Sequence, residues 1–360
     1  MQSVNGNLTF FSNTRAEQTN LYPEVLKSIA SLENTGEAIN ETYQCSDYDV
    51  TPQHNLSSLS ASLIVDKIWY KDESKRFQLK SCKAFSDSFA VARQSQKKLS
   101  EVTGETPSVQ DLLDHKFDDI VRKTLIICAS DGNHERSGSI SWGCEMFSCP
   151  CVIYIHCDVS KGRQQAMEAF SADVIRITNN YYDSELVEQM QRDIPTHVFI
   201  LGGVGGLASA VCAYFWALWD EQRPHFIVVE TINANYLKES ARAGKPIIVN
   251  SDLDTLMAGL ACGEVSALAW EILDVGANDF HTINEEAVPL TMQLLAYGFS
   301  EDVKIEAGES AVAGLSALIT ARHSTDESRA LGLDESSPIY ILGTDGATDP
   351  ALYAQLLNQI

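Results

Sequence analysis

Basic residues are scarce in this sequence: 26 Lys and Arg stand against 49 Asp and Glu in 360 residues, a formal net charge of −23. Such a surface repels phosphate backbones and anionic lipid, which argues against nucleic-acid or membrane-surface partners. A local pocket for one small phosphate survives that argument. Long apolar runs are missing too, and none approaches the roughly 20 residues that a membrane-spanning helix needs. The opening stretch MQSVNGNLTFFSNTRAEQ lacks a basic start followed by an apolar core, so a secretory signal is not expected. Internal repeats and low-complexity tracts are absent. The cysteines (Cys45, Cys82, Cys128, Cys144, Cys149, Cys151, Cys157, Cys212 and Cys262) are odd in number and scattered, unlike a disulfide framework. Cys149-Pro150-Cys151 has neither the spacing nor the second pair of a zinc site. A reduced, cytoplasmic protein without a metal is the expectation.

What is present is enough apolar material for a sizeable core. Hydrophobic residues make up 44% of the chain, with 13 Phe, 12 Tyr and 5 Trp, and the length suits two domains or one large α/β unit. The pattern predicts a helix near Tyr22–Leu32, a strand at Lys67–Lys71 and a helix over Lys83–Leu99. Residues 101–120 are charged and read as a loop-like insertion. Strands follow at Thr124–Ala129, Cys151–His156, Asp173–Ile177, His197–Leu201 and Phe226–Glu230, alternating with helices, and the last strand is Ile339–Leu342. Residues 255–274 read as a long helix interrupted by glycine. This alternation implies parallel sheets covered by helices, whose ligands bind at the carboxyl ends of the strands.

Three segments carry candidate chemistry. Gly202-Gly203-Val204-Gly205-Gly206 sits between a strand and a helix. It is either a phosphate cradle, built from backbone N–H groups and a helix amino end, or a tight turn for close packing. It lacks the Lys-Ser/Thr ending of a nucleotide P-loop and the spacing of a dinucleotide turn, which leaves a cofactor monophosphate as the natural guest. Lys83, at a predicted helix start, is either a solvated charge or an amine that forms a Schiff base. Asn133, in Ser130-Asp131-Gly132-Asn133-His134, is either a turn residue or a hydrogen-bond partner for a phenolic oxygen.

The order of these segments resembles the pyridoxal-phosphate enzymes of the tryptophan synthase β-like group (fold type II). Within that group the chain is most similar to the diaminopropionate ammonia-lyase family. The likeness runs from about residue 45 to the end. It is carried by residues 71–77 (KDESKRF), 255–273 (TLMAGLACGEVSALAWEIL), Gly308-Glu309-Ser310 and 345–350 (DGATDP). The resemblance implies an α/β fold of two domains with three-layer parallel sheets. Residues 1–60 would pack on the large domain. Residues 61–200 would form a smaller α/β domain carrying Lys83 and Asp131–Asn133 near the domain interface, and 201–360 the larger domain with the phosphate turn. It also implies pyridoxal 5'-phosphate as cofactor, a small amino-acid substrate and a homodimer. Lys83 matches the Schiff-base lysine, Asp131 a second acid/base and Asn133 the partner of the phenolic oxygen. Gly203, Val204, Gly205, Gly206 and Leu207 match the phosphate loop, and Thr344 the hydroxyl that meets the pyridine nitrogen. The implied reaction is α,β-elimination of ammonia from an amino acid such as 2,3-diaminopropionate, leaving pyruvate.

The chain also departs from the family. Ser86-Asp87 stand where the family has Gly-Gly, Glu135-Arg136-Ser137 where it has Gly-Arg-Gly, and Ala311 where it has Gly. Between Asp183 and Pro195 the family carries a strand, a further helix and another active-site acid. Here only one short helix, about Ser184–Arg192, fits, so that a strand and a catalytic carboxylate are missing. Two alternatives therefore stay open. One is a dehydratase of serine or threonine type with a changed substrate; the other is a non-catalytic relative. What discriminates between them is whether an acidic residue from elsewhere, such as Asp183 or Glu309, reaches the substrate.

Overall fold

β-branched and aromatic runs pair as strands in the computed structural model. It describes residues 9–17, 21–31, 48–77, 79–130, 134–156, 161–177, 194–248 and 253–359. The strands are β1 (Thr9–Ser12), β2 (Gln53–Asn55), β3 (Lys67–Asp72), β4 (Ile126–Ser130), β5 (Cys151–His156), β6 (Asp173–Ile177), β7 (His197–Leu201), β8 (His225–Thr231), β9 (Asp279–Ile283) and β10 (Pro338–Gly343). The chain divides into two units. One gathers Met1–Leu32, Thr51–Lys75 and Leu186–Ile360; the other gathers Glu33–Val50 and Arg76–Glu185.

The larger unit holds a seven-stranded sheet in the order β1-β9-β8-β7-β10-β3-β2. Its five inner strands are parallel, and the two edge strands run antiparallel to their neighbours. The strands β7 and β8 carry the unbroken apolar runs VFIL and FIVV rather than an alternating pattern. That is what burial on both faces demands, and β7 and β9 are buried along their whole length. The helix Ala313–His323 lies so close to the sheet that a Cβ at Gly314 would come 2.7 Å from the Phe199 carbonyl oxygen.

The smaller unit holds the parallel sheet β4-β5-β6. Its core includes Val91 and Leu99 from the helix Lys83–Thr103, with Leu112, Ile140, Phe147 and Ile153. The cysteines within the described residues form no disulfide; Cys45 and Cys157 lie outside them. Among the described residues no helix is long and apolar enough to cross a membrane.

Several readings of the sequence need correction. Residues 101–120 are not a loop. The helix Lys83–Thr103 runs into them and stops at Gly104, which takes φ +79°. A reciprocal capping box between Ser108 and Asp111 then opens the helix Val109–Leu113, and Asp118–Val121 adds another turn. Val109, Leu112 and Val121 are buried, but three apolar anchors among so many charges left no periodicity to read. Residues 255–274 are not one helix. A 3-10 turn at Ala258–Leu260 comes first, and the helix begins at Ala267, where the Ser266 side chain accepts the Ala269 N–H. Near Tyr22 the predicted helix is a 3-10 turn, Glu24–Ser28. The strand β9 was missed, because DFHTI mixes polar and apolar residues without alternation.

Three buried groups set an expected pH profile of stability. Burial pushes the imidazoles of His197 and His281 down from 6.5 to about 4, and pushes the Glu230 carboxyl up from 4.5 to about 8. Below pH 6.5 the unfolded chain takes up protons that the folded histidines refuse, so acid destabilises the fold. Glu230 acts the other way: its folded form keeps a proton that the unfolded form releases, so stability falls as pH rises from 4.5 to 8. Two histidines outweigh one glutamate between 4.5 and 6.5, so these groups place the maximum near pH 6.5. Neither ring nitrogen of His281 has a hydrogen-bond partner. His281→Leu is therefore expected to flatten the acid limb without losing a bond. Melting temperatures measured from pH 4 to 8 check this, and an unchanged acid limb would refute it.

Candidate active site

Parallel pairing puts the carboxyl ends of β3, β10, β7, β8 and β9 on one rim of the larger sheet. From β7 the chain proceeds outward through β8 and β9, then returns to lay β10 on the other side of β7. The order reverses between β7 and β10, which is where open α/β sheets bind their ligands. Ile339, Tyr340 and Ile341 of β10 pair with His197, Val198 and Phe199 of β7. Continuing that register brings Thr344 beside Gly202, so the glycine turn and the Thr344 segment leave the rim side by side.

The glycine turn has the backbone that an anion cradle needs. The Gly202 N–H donates to the Val229 carbonyl at 2.7 Å, the Gly205 N–H donates to the Gly202 carbonyl at 3.0 Å, and the helix Gly206–Trp219 starts at once. Gly203 takes φ +50° and Gly205 φ +98°, conformations that an L side chain resists. A Cβ at Gly203 would meet only the Gly259 carbonyl oxygen, at 3.3 Å, so the missing side chain leaves room over the turn. Val204 and Leu207 are buried and anchor the turn. The N–H groups of a first helical turn have no acceptor within the helix, and the helix dipole adds partial positive charge. A phosphate monoester fits this turn in charge and in space.

The neighbouring loops are fastened to the same rim. The Gly259 N–H donates to Ser310 Oγ at 3.0 Å. Glu285, just beyond β9, accepts from Thr231 Oγ1 at 2.5 Å, from Thr255 Oγ1 at 2.7 Å and from the Leu256 N–H at 2.8 Å. It therefore ties the 255–264 segment to the end of β8. Sequence reasoning missed Glu285, because a single glutamate in a polar turn carries no signal until β8 and β9 are known to be neighbours. Removing such a cluster leaves donors unsatisfied and costs about 1–3 kcal/mol. Glu285→Ala is expected to weaken the binding of a phosphate monoester at this rim about tenfold or more, the fold-change equivalent to 1.4 kcal/mol. Quenching of tryptophan fluorescence on titration with that ligand measures it.

Thr344 and Asp345 follow β10 and are both buried; the Thr344 hydroxyl donates to Asp345 Oδ1 at 2.6 Å. The Gly308 N–H donates to the Asp345 carbonyl at 3.0 Å. A Cβ at Gly308 would overlap Asp345 Oδ2, so this glycine makes room for the carboxylate. Glu309 and Ser310 are also buried.

The structure thus brings Gly203, Val204, Gly205, Gly206, Leu207 and Thr344 to one rim. Lys83 belongs to the other unit, where it takes the first position of the helix Lys83–Thr103. The segment before it is strained: Phe77 and Lys80 take φ +47° and +55°, and the Phe77 ring packs on Trp142 at 4.7 Å between centroids. Strain of this kind accumulates at functional sites. Asp131 and Asn133 lie outside the described residues, between the end of β4 and the helix His134–Met146; Asp183 and the short helix expected over Ser184–Arg192 lie outside them too. Ser86 and Asp87 lie within a helix, and neither they nor Ala311 has positive φ, so none of these positions demands the backbone freedom of glycine.

Two α/β units, the larger with a glycine turn at its switch point, define the fold type II architecture of the tryptophan synthase β-like group. The profile of pyridoxal-phosphate dependent enzymes matches residues 46–185 and 184–333. The diaminopropionate ammonia-lyase of Escherichia coli K12 is 28% identical over 86% of this chain and 87% of its own. The holo structure of Escherichia coli diaminopropionate ammonia lyase superposes with a TM-score of 0.84 at 25% identity, covering 98% of this chain and 97% of that one. Threonine deaminase isoform 2 of Solanum lycopersicum shares the fold at 14% identity and a TM-score of 0.67, over 96% and 97% of the two chains. The chain belongs to the family of pyridoxal-phosphate-dependent enzymes.

Proposed function

We propose that the protein is a lyase that eliminates ammonia from a small β-substituted amino acid, with 2,3-diaminopropionate as the first substrate to test. The observation that carries the proposal is the adjacency of the glycine turn and the Thr344 segment at the switch point of a sheet shared with a diaminopropionate ammonia lyase. Gly203, Val204, Gly205, Gly206 and Leu207 would hold the phosphate of pyridoxal 5'-phosphate, Asn133 its phenolic oxygen and Thr344 its ring nitrogen. When bound, this cofactor draws electrons from the substrate α-carbon and makes its proton acidic.

The chain's own groups then move protons. Lys83 Nζ anchors the cofactor covalently while the site is empty and, once freed, takes the proton from the α-carbon. Asp131 gives a proton to the departing β-nitrogen. Water completes the reaction, which yields pyruvate and releases ammonia from both nitrogens. Likeness to the family further supports a homodimer and a cytoplasmic location, the first checked by light scattering of the purified protein.

The test is to incubate the cofactor-loaded protein with 2,3-diaminopropionate, serine and threonine, and to assay keto acid and ammonia. Pyruvate and ammonia from diaminopropionate are expected. Keto acid from the hydroxy amino acids alone would replace the substrate, and no product from any of them would overturn the proposal.

A further inference from the structure

The glycine turn faces a second wall, built from the segment after residue 253. A Cβ at Gly203 would lie 3.3 Å from the Gly259 carbonyl oxygen, so that oxygen bounds the space over the turn. Gly203 and Gly259 are both half-buried, whereas Gly202, Val204 and Gly205 are buried, so the turn stays open between the two facing glycines. A carbonyl oxygen carries lone pairs and no proton, as do the oxygens of a phosphate dianion. The two repel when pressed together, so the height of this wall decides whether an anion fits. Gly259 sits in the 3-10 turn Ala258–Leu260, closed by the Leu260 N–H on the Met257 carbonyl at 2.8 Å. One end of the segment is held by Glu285, through Thr255 and Leu256; the other is held where the Ser266 N–H donates to the Val204 carbonyl at 3.0 Å. Between them, opposite Gly203, the Gly259 N–H donates to Ser310 Oγ at 3.0 Å. Ser310 is buried, and its neighbour Gly308 is fixed by its N–H to the Asp345 carbonyl at 3.0 Å. The end of β10 therefore sets the place of Ser310, and Ser310 sets the place of Gly259.

We propose that Ser310 is a positioning residue for the phosphate end of the cofactor site: it holds the Gly259 carbonyl at the distance from Gly203 that admits a phosphate monoester. The inference rests on the function proposed above, in which the glycine turn holds the phosphate of pyridoxal 5'-phosphate. Ser310 acts through the Gly259 peptide. Without the hydroxyl, the Gly259 N–H loses its acceptor and the 3-10 turn must rearrange to find another. A wall that moves inward puts its oxygen where the phosphate belongs, and one that moves outward lets water compete for the turn. Either movement weakens the hold on the phosphate and leaves the rest of the ligand as it was.

The experiment compares pyridoxamine 5'-phosphate with pyridoxamine by titration calorimetry on the cofactor-free protein. The two ligands differ only by the phosphate, and neither has the aldehyde that would bond to a lysine. The wild type is expected to bind the phosphorylated ligand far more tightly. Ser310→Ala should lower the affinity for pyridoxamine 5'-phosphate about tenfold, the scale of one lost hydrogen bond, and leave that for pyridoxamine unchanged. Ser310→Cys keeps the shape of the side chain but offers sulfur, a weak acceptor, and should do the same. It carries the test if the alanine variant does not fold. Equal losses for the two ligands, or no loss for either, overturn this inference and leave the proposed function standing. A wild type that binds the two ligands alike overturns both.

Discussion

Lys83→Ala is expected to abolish covalent uptake of pyridoxal phosphate and to lower turnover by at least about 10³-fold, within the range that a positioned acid or base contributes. A neutral methyl cannot bond to the cofactor's aldehyde carbon or accept the α-proton, so anchoring and proton removal fail together. The remaining contacts at the phosphate turn are untouched, so the variant should still bind the cofactor without a covalent bond. Borohydride treatment followed by mass spectrometry separates the two states: the wild type retains the cofactor's mass at Lys83 and the variant does not. Retention of the adduct elsewhere, with full activity, would remove Lys83 from the mechanism.

Gly205→Ala is the second substitution with a large expected effect. At φ +98° a Cβ is strained by about 1–3 kcal/mol. The added carbon would also press on Leu273 Cδ1 at 3.0 Å and Ala269 Cβ at 3.1 Å. The turn must shift to relieve both, and a shift there moves the N–H groups that the proposed function assigns to the phosphate. We expect a lower melting temperature, and pyridoxal-phosphate affinity reduced at least tenfold, equivalent to about 1.4 kcal/mol. Inorganic phosphate should then protect the wild type against heat more than it protects the variant. Equal protection of the two would show that the turn does not hold the phosphate.

Much of the scaffold could be read in advance, because its signals are local. The apolar strands β5, β6, β7 and β8 and the glycine turn after β7 stand out by composition alone. What escaped reading depends on distant pairing. β10 lies between β7 and β3, so Thr344 and Gly202 become neighbours only through contacts far apart in sequence. Glu285 was invisible for the same reason, since its three donors come from β8 and from the segment after residue 253. The helix Val109–Leu113 was hidden among charges, although its Ser108–Asp111 cap is a local signal that could have found it. Thr344 became a candidate through resemblance alone, and for Lys83 it was resemblance that favoured the Schiff-base amine over the solvated charge, since its position at a helix start fits both.

The strand order also bears on how the polypeptide matures during translation. β4, β5 and β6 are contiguous in sequence, so the smaller sheet can assemble while the ribosome is still producing the rest. The larger sheet cannot, because β10 fills its middle and is made last of the described strands. Until then β3 and β7 each present an unpaired edge to solvent, a state that invites association between nascent chains. Synthesis that stalls before Pro338 would leave that gap open, which makes the final strand the step at which a chaperone has most to protect.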